Sequence, residues 1–333
     1  MYRQLIAAAA LTAALTTALP AAAQSISPQD RAAGAQADPQ LVKEFGGRYG
    51  GPQVALVERV GKRVAVQSGL SNAQGDFTIT LLDSPVENAF AIPGGYVYVT
   101  RQLLALMNSE AELASVLGHE VGHVAARHSA SRNRTAAIGS VLAGVVGAVA
   151  GNGAAGQLAG TVARGGAQLY TLRYGREQEY AADALGVRYI TAAGYDPYAA
   201  ADMLASLDAE TGLQSAVAGR SGQQLPSWAS THPNGADRVR RAAQLAQQTG
   251  RPMLDPPPED TRFLRALDGL AYDAKGSGKR VRVRTVKAGD TVDTFARQMA
   301  YDTLQRERFL TLNALDDDVR LTPGRLVKVV TKE

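Results

Sequence analysis

The sequence predicts an α+β fold: a mainly helical domain carrying a small β-sheet, followed by a small strand–helix–helix–strand unit. Three observations predict it. Apolar residues recur at helical spacing in ALVERVGKRVAV and again over 109–128 and 172–190. Short alternating runs over 77–82, 88–91 and 96–100 read as strands, the last two joined by the turn Pro93-Gly94-Gly95. A stiff proline-rich stretch, RPMLDPPPE, then precedes a final run with strand and helix signals of its own.

In chain order, residues 1–23 read as an export signal. Arg3 precedes an alanine-rich apolar stretch, and Pro20 is followed by Ala21-Ala22-Ala23, a small-residue cleavage pattern. A retained membrane anchor is the alternative, weakened by the dominance of alanine and threonine. Residues 52–69 form a helix. Ser109 opens the next one, and with Glu112 it has the spacing of a capping box, in which each side chain satisfies a free backbone donor. Residues 135–163 carry no charge, yet their cleanest apolar run falls short of the roughly 20 residues a membrane span needs. They are expected to form a packed helical hairpin, with a lid or membrane-touching flap as the alternative. Helices over 172–190 and 197–207, a Gly- and Ser-rich loop over 216–230, and a helix from Pro233 to about 248 complete the domain. The boundaries so read are 1–23 (signal), 24–250 (main domain), 251–280 (linker) and 281–333 (final unit).

The 333 residues allow about two domains. A hydrophobic share of 45% and a charged share of 20% exclude a disordered tail and a multi-span membrane protein. There is no cysteine, which removes disulfide frameworks, thiolate metal sites and cysteine nucleophiles. Lipid anchoring of the bacterial lipoprotein kind is removed with them. Any metal must be held by histidine and carboxylate, and there are four histidines to consider. Residues 279–333 hold 12 Lys and Arg against 8 Asp and Glu, an excess equal to the whole chain's net charge of +4. Such an excess favours an anionic envelope polymer or lipid surface. It is too small and too mixed with acid to indicate nucleic acid.

The strongest chemical signal is His119-Glu120-Val121-Gly122-His123. On a helix the two histidines share one face, one turn apart, so both imidazoles reach one zinc ion while Glu120 reaches the water beside it. Gly118 and Gly122 cost a helix about 1 kcal/mol each, which makes sense where something must approach the backbone closely. A catalytic zinc needs a third protein ligand and an open position. Glu177 and Glu179 are the candidates. Glu179 has Asp183 one turn later on its own face, placed to hydrogen-bond a ligand histidine and fix its tautomer, whereas Glu177 has Ala181 there. Glu179 is therefore read as the ligand, Asp183 as the orienting acid and Glu177 as a solvated acid. Zinc supplies Lewis acidity to water and to a scissile carbonyl. Were the substrate a peptide, as the resemblance given below implies, Glu120 would take the water's proton and pass it to the leaving amine. Tyr174, Arg176, Tyr180 and His232 are the candidate donors to the oxyanion.

Two histidines remain. His128 lies nine residues beyond His119, half a rotation around a continuous helix, and reads as structural. His232 precedes Pro233 at a helix start after a glycine-rich loop. It is a candidate oxyanion donor or a removable fourth ligand holding the site latent; a helix-terminus histidine without catalytic role is the alternative.

NAFAIPGGYVYVTR, ELASVLGHEVGHVAARH, EYAADALG and STHP together resemble the HtpX-like and CAAX-prenyl-protease-like zinc metallopeptidases of family M48, most nearly their periplasmic BepA/LoiP-type branch. The resemblance implies a gluzincin fold, a zinc ion held by His119, His123 and Glu179, and Glu120 as base. It also implies that the strand beginning Asn88-Ala89-Phe90 pairs with an extended substrate, an ordinary inner strand being the alternative. Where the family commonly reads E-x-E-A-D, this chain has Glu179-Tyr180-Ala181-Ala182-Asp183, without the second acid. The final unit resembles a LysM module through Gly289-Asp290-Thr291, Leu312-Asn313 and Pro323-Gly324, which implies binding of N-acetylglucosamine-containing glycan; a structural cap is the alternative. The expected protein is thus a periplasmic zinc endopeptidase. Its expected partners are extended or unfolded protein substrates, peptidoglycan through the final unit and a peripheral membrane contact, with no nucleic acid. A peptidoglycan-associated adaptor or chaperone with a silent or latched peptidase site is the competing expectation.

Overall fold

The computed structural model describes residues 25–70, 73–128, 174–221, 228, 232, 235–254 and 257–333. The expected signal, the 135–163 segment and most of the loop expected over 216–230 lie outside the described residues. The fold is mainly helical α+β. Helices α1 (Pro28–Glu44), α2 (Gln53–Ala65) and the short α3 (Ala73–Asp76) precede strands β1 (Thr78–Leu82), β2 (Ala89–Ile92) and β3 (Tyr96–Thr100). Then come α4 (Arg101–Leu106), α5 (Glu110–Ala125), α6 (Arg176–Ala192), α7 (Ala199–Ser221), α8 (Ala236–Gln248) and α9 (Thr261–Ala266). The chain closes with β4 (Lys279–Thr285), α10 (Val292–Ala296), α11 (Gln305–Leu312) and β5 (Leu326–Lys332).

The first sheet has the order β1-β3-β2, with β1 parallel and β2 antiparallel to β3, so β2 is an edge strand. Its return to β3 requires glycine: a Cβ on Gly95, whose φ is 83°, would lie 2.2 Å from the Asp76 carbonyl oxygen. The two-residue period divides the sheet between two cores. Ala89, Ala91, Val97 and Val99 face the main core with residues of α2 and α5. Phe90, Ile92 and Tyr98 face a second cluster completed by Ala37, Leu41 and Phe45. That second face is covered by α1, a helix the apolar pattern does not reveal because its buried stripe is only Gly34, Ala37 and Leu41. Its start is marked locally by Ser27, whose side chain accepts from the Asp30 N–H, and by Pro28 in the first turn.

The close approach anticipated at the α5 glycines is made by α6. A Cβ on Gly122 would lie 3.1 Å from the Ala182 carbonyl oxygen, and one on Gly186 would lie 3.1 Å from the His119 backbone nitrogen. Small residues on both helices bring their backbones together, which draws Glu179 and Asp183 to the two histidines. α7 runs on to Ser221, so the loop expected from 216 begins later.

The final unit has the expected strand–helix–helix–strand order, with β4 and β5 antiparallel. Side chains close the outer edge of β5. The Asn313 amide accepts from the Lys328 N–H (2.7 Å) and donates to the Lys328 carbonyl (2.8 Å), and Glu259 accepts from the Leu326 N–H (2.8 Å). Within residues 251–280, read as a linker, the sequence also places a short helix around 263–270 behind the stiff prolines, and the structure has one there. That helix is α9, and Phe263, Leu267 and Leu270 join the main core with Val281. Only the prolines are stiffening; the FLRALDGL run behind them has apolar surface to bury. The union is locked by Arg101, which donates to the Ala271 and Asp273 carbonyls (3.1 and 2.7 Å). Fully buried Lys328 donates from Nζ to the carbonyls of Ala105, Leu106 and Met107 (2.7, 3.1 and 2.6 Å), the C-terminal end of α4.

Candidate metal centre

Ser109 caps α5 by accepting from the Glu112 N–H (3.1 Å), but Glu112 turns to the Asn108 N–H (2.8 Å), so half of the expected capping box forms. The helix buries His119, Glu120 and His123 together. Their imidazoles converge, with His119 Nε2 3.0 Å from His123 Nε2. From α6, Glu179 brings Oε2 to 3.5 Å from His119 Nε2 and Oε1 to 3.6 Å from His123 Nε2. His232 brings Nδ1 to 3.3 Å from His119 Nε2 and 3.1 Å from Glu179 Oε1. All four residues are buried, with donor atoms within 4.8 Å of one another. Glu177 and Arg176, at the start of α6, are exposed.

This donor set fits zinc. Tetrahedral ligands at the usual zinc distances stand about 3.4 Å apart; the five separations given above run from 3.0 to 3.6 Å, and every pair lies within 4.8 Å. Asp183 Oδ1 lies 2.9 Å from His119 Nδ1 and accepts a hydrogen bond from its N–H, so in the neutral ring the lone pair of His119 is on Nε2, facing His123. Two facing imidazole nitrogens at this distance require a proton or a cation between them.

The charges point the same way. Burial works against a charged His119, but its hydrogen bonds to Asp183 and Glu179 outweigh it and hold the pKa up at about 9, so without a metal Nε2 carries the proton whose place a cation would take. Burial, followed by repulsion from His119 and His232, pushes His123 well below its usual value, keeping it neutral. Burial would raise Glu179, yet His232 and His119 hold it well below the carboxylate range. Asp183 is likewise held down against burial, chiefly by Arg238. Glu120 differs: burial raises its pKa against the pull of His232 and His119. It is 0% exposed, and neither oxygen has a hydrogen-bond partner among the described residues; the nearest cation-forming group is His232 Nε2, 3.5 Å from Oε1. An unsatisfied buried carboxylate is costly to keep, which fits a group reserved for a proton.

Two participants, Arg238 and Trp228, escaped the sequence reading, and a third, His128, read as structural, lies elsewhere than expected. Arg238, from α8, donates to both Asp183 oxygens (Nε to Oδ2 2.8 Å, Nη2 to Oδ1 2.7 Å) and pairs with Glu179. The signal that could have found it is charge balance, since Glu120, Glu179 and Asp183 in one buried centre demand a fixed cation. His128 is not half a rotation away. α5 ends at Ala125, Arg127 adopts a left-handed φ of 54°, and the reversed chain sets His128 Nδ1 2.8 Å from His123 Nδ1. Trp228 stacks on His232, with ring centroids 4.6 Å apart. Of the oxyanion candidates, the structure brings Tyr174 and His232 to the centre. Tyr174 stacks on the His123 ring at 3.7 Å, whereas Tyr180 lies under Arg241, 4.0 Å from it. Ala89 and Phe90 lie in β2 and Asn88 just before it, its N–H donating to Thr100 Oγ1 (3.1 Å). Phe90 packs between Phe45 and Tyr98 as core. The end of β2, at Ile92, lines a cleft that also includes Pro93, Gly94, His123 and Arg127.

A family model described as Peptidase family M48 matches residues 53–246, more than half of the chain. The chain is 32% identical over 205 residues to the mitochondrial metalloendopeptidase OMA1 of Schizosaccharomyces pombe, covering 61% of this chain and 56% of that protein. It is 31% identical over 169 residues to the Arabidopsis thaliana protein of the same name, covering 50% of this chain and 31% of the relative. It is also similar to the β-barrel assembly-enhancing protease of Escherichia coli, 30% identical over 209 residues, covering 60% of this chain and 40% of that one. The chain therefore spans between 31% and 56% of the length of these relatives.

Proposed function

The chain belongs to peptidase family M48, and from that premise we propose that it is a zinc-dependent endopeptidase of the bacterial cell envelope, acting on misfolded or misassembled proteins. One observation carries the reading: His119, His123, Glu179 and His232 converge beside the buried carboxylate of Glu120, which has no hydrogen-bond partner among the described residues. In this reading His119, His123 and Glu179 hold zinc, whose contribution is Lewis acidity toward water and the scissile carbonyl. Glu120 accepts the proton of the attacking water and delivers it to the leaving amine. Asp183 keeps His119 in the Nδ1–H tautomer. An extended substrate adds to the edge of β2 that does not face β3, through the backbone groups of Ala89. Asn88 and Phe90, also expected there, do not contribute, because Asn88 spends its N–H and carbonyl on Thr100 (3.1 and 2.9 Å) and antiparallel alternation turns Phe90 the same way. The envelope assignment rests on residues 1–23 read as a signal and on likeness to a protease named for β-barrel assembly. The LysM-like unit, with its basic excess, supports attachment to peptidoglycan.

A second reading concerns the same site at rest. His232 Nδ1 completes four protein donors, and closed sets of four mark zinc sites without catalysis. His232 is then a removable fourth ligand, and the arrangement is a latched form. The oxyanion role is less well supported, because Nδ1 faces the donor set and Nε2 faces Glu120.

The test is Glu120→Gln in a casein assay with and without chelator. The variant is expected to retain zinc and to lose about 100-fold or more in turnover. Wild-type turnover in that variant, or chelator-insensitive turnover in the native protein, refutes the reading.

A further inference from the structure

Arg238 is a buried guanidinium whose donors are almost all committed. Nε and Nη2 hold the two oxygens of Asp183 at 2.8 and 2.7 Å. Nη1 stands 3.0 Å from Glu179 Oε2 and 3.4 Å from the His232 carbonyl oxygen. The Trp228 ring covers one face, its centroid 4.9 Å from Cζ. One rigid fork thus touches the carboxylate of one candidate ligand, the backbone of another and the acid that orients a third.

The contact with Glu179 has a stereochemical consequence. A carboxylate binds a metal through one oxygen or through both, and the choice changes how many positions stay open. Both Glu179 oxygens lie near the imidazoles, Oε1 3.1 Å from His232 Nδ1 and 3.6 Å from His123 Nε2, Oε2 3.3 Å from His232 Nδ1 and 3.5 Å from His119 Nε2, but Oε2 is also paired with the guanidinium, 3.0 Å from Nη1. We propose that Arg238 is a positioning residue that commits Glu179 to the metal through Oε1 alone, keeping a coordination position free for water or substrate. Because Asp183 is held by the same fork, Glu179 and His119 keep a common frame, set by α8. A lysine cannot do this: it offers a point charge without the planar fork.

This inference rests on the zinc reading above, and its test separates the two. The full chain, native and Arg238→Lys, is loaded with cobalt(II), whose visible spectrum reports coordination number; cobalt affinity is measured by competition with a chelator. The native protein is expected to give the intense bands of a four-coordinate ion. Arg238→Lys is expected to give the weaker bands of a five-coordinate ion, with affinity lower by about 10- to 100-fold. Millimolar guanidinium ion, added to Arg238→Ala, is expected to restore the native spectrum, which a role in packing alone does not predict. An unchanged spectrum and affinity in Arg238→Lys overturns the proposal while leaving the peptidase reading intact. Failure of the native protein to bind cobalt instead removes the peptidase reading. If neither variant folds, a crystal structure of the zinc-loaded native chain decides: Oε2 bonded to Nη1 supports the proposal, and both Glu179 oxygens on the metal overturn it.

Discussion

Replacing Gly186 with alanine tests whether the backbone contact between α5 and α6 sets the centre. On helical propensity alone the change is favourable by about 1 kcal/mol. The added Cβ, however, would stand 3.1 Å from the His119 nitrogen and 3.4 Å from the His119 Cα and Gly118 carbonyl carbon. These are backbone atoms in the middle of a buried helix and cannot swing aside. Restoring ordinary contact requires the helices to part by about 0.3 Å, which exceeds the tolerance of about 0.2 Å on metal–ligand distances. Taking about 100-fold in rate per ångström of misplacement, peptide turnover falls roughly fourfold, with a matching weakening of zinc affinity. Gly212→Ala is the control. Gly212 lies inside α7 with nothing within 4 Å of its added Cβ, so it keeps the propensity gain without the clash. Thermal melts of the apo and zinc-loaded forms, with chelator competition, measure both effects. If Gly186→Ala melts higher by as much as Gly212→Ala and binds zinc as tightly as the native chain, the argument from close packing is wrong.

His232→Ala removes the fourth donor. If the latch is closed about nine-tenths of the time, casein turnover rises up to about tenfold and zinc exchanges faster into chelator; unchanged values for both refute a latch. Glu110→Gln probes acid stability. Arg59 holds Glu110 below its usual pKa through two hydrogen bonds (2.8 and 2.7 Å), against burial and with help from Tyr195. The native state then binds fewer protons than the unfolded chain, so this contribution is present above the unfolded value of about 4.3 and is lost as pH falls through the lower folded value. The pair is partly exposed, so the native-minus-variant difference at pH 7 is about 1 kcal/mol at most. That difference narrows as pH falls below the unfolded value; one that widens on acidification contradicts the assignment.

The ligand spacing was legible because helix geometry is local: His119 and His123 needed only their own turn, and Glu179 and Asp183 only theirs. The strand–helix–helix–strand order of the final unit followed from equally local signals. What stayed hidden depended on chain reversal or distant packing. His128 was misplaced because a left-handed arginine is not written in apolar periodicity. Arg238 was missed because its partners lie more than fifty positions away and are defined only once α6 and α8 meet. α1 was invisible because an edge-covering helix with three small or apolar buried residues carries almost no stripe. The short helix behind the prolines was legible as a helix, but its docking was not, because only distant partners put Phe263, Leu267 and Leu270 into the main core.

The ammonium of Lys328, seated in the carbonyl end of α4, makes the last fifty residues a rigid bracket instead of a leash. Any polymer gripped by the loops of that bracket would carry the cleft at one height and one orientation above it, like a blade fixed to its handle. If the proposed attachment holds, the reach of the cleft would be set by the dimensions of the protein's own body.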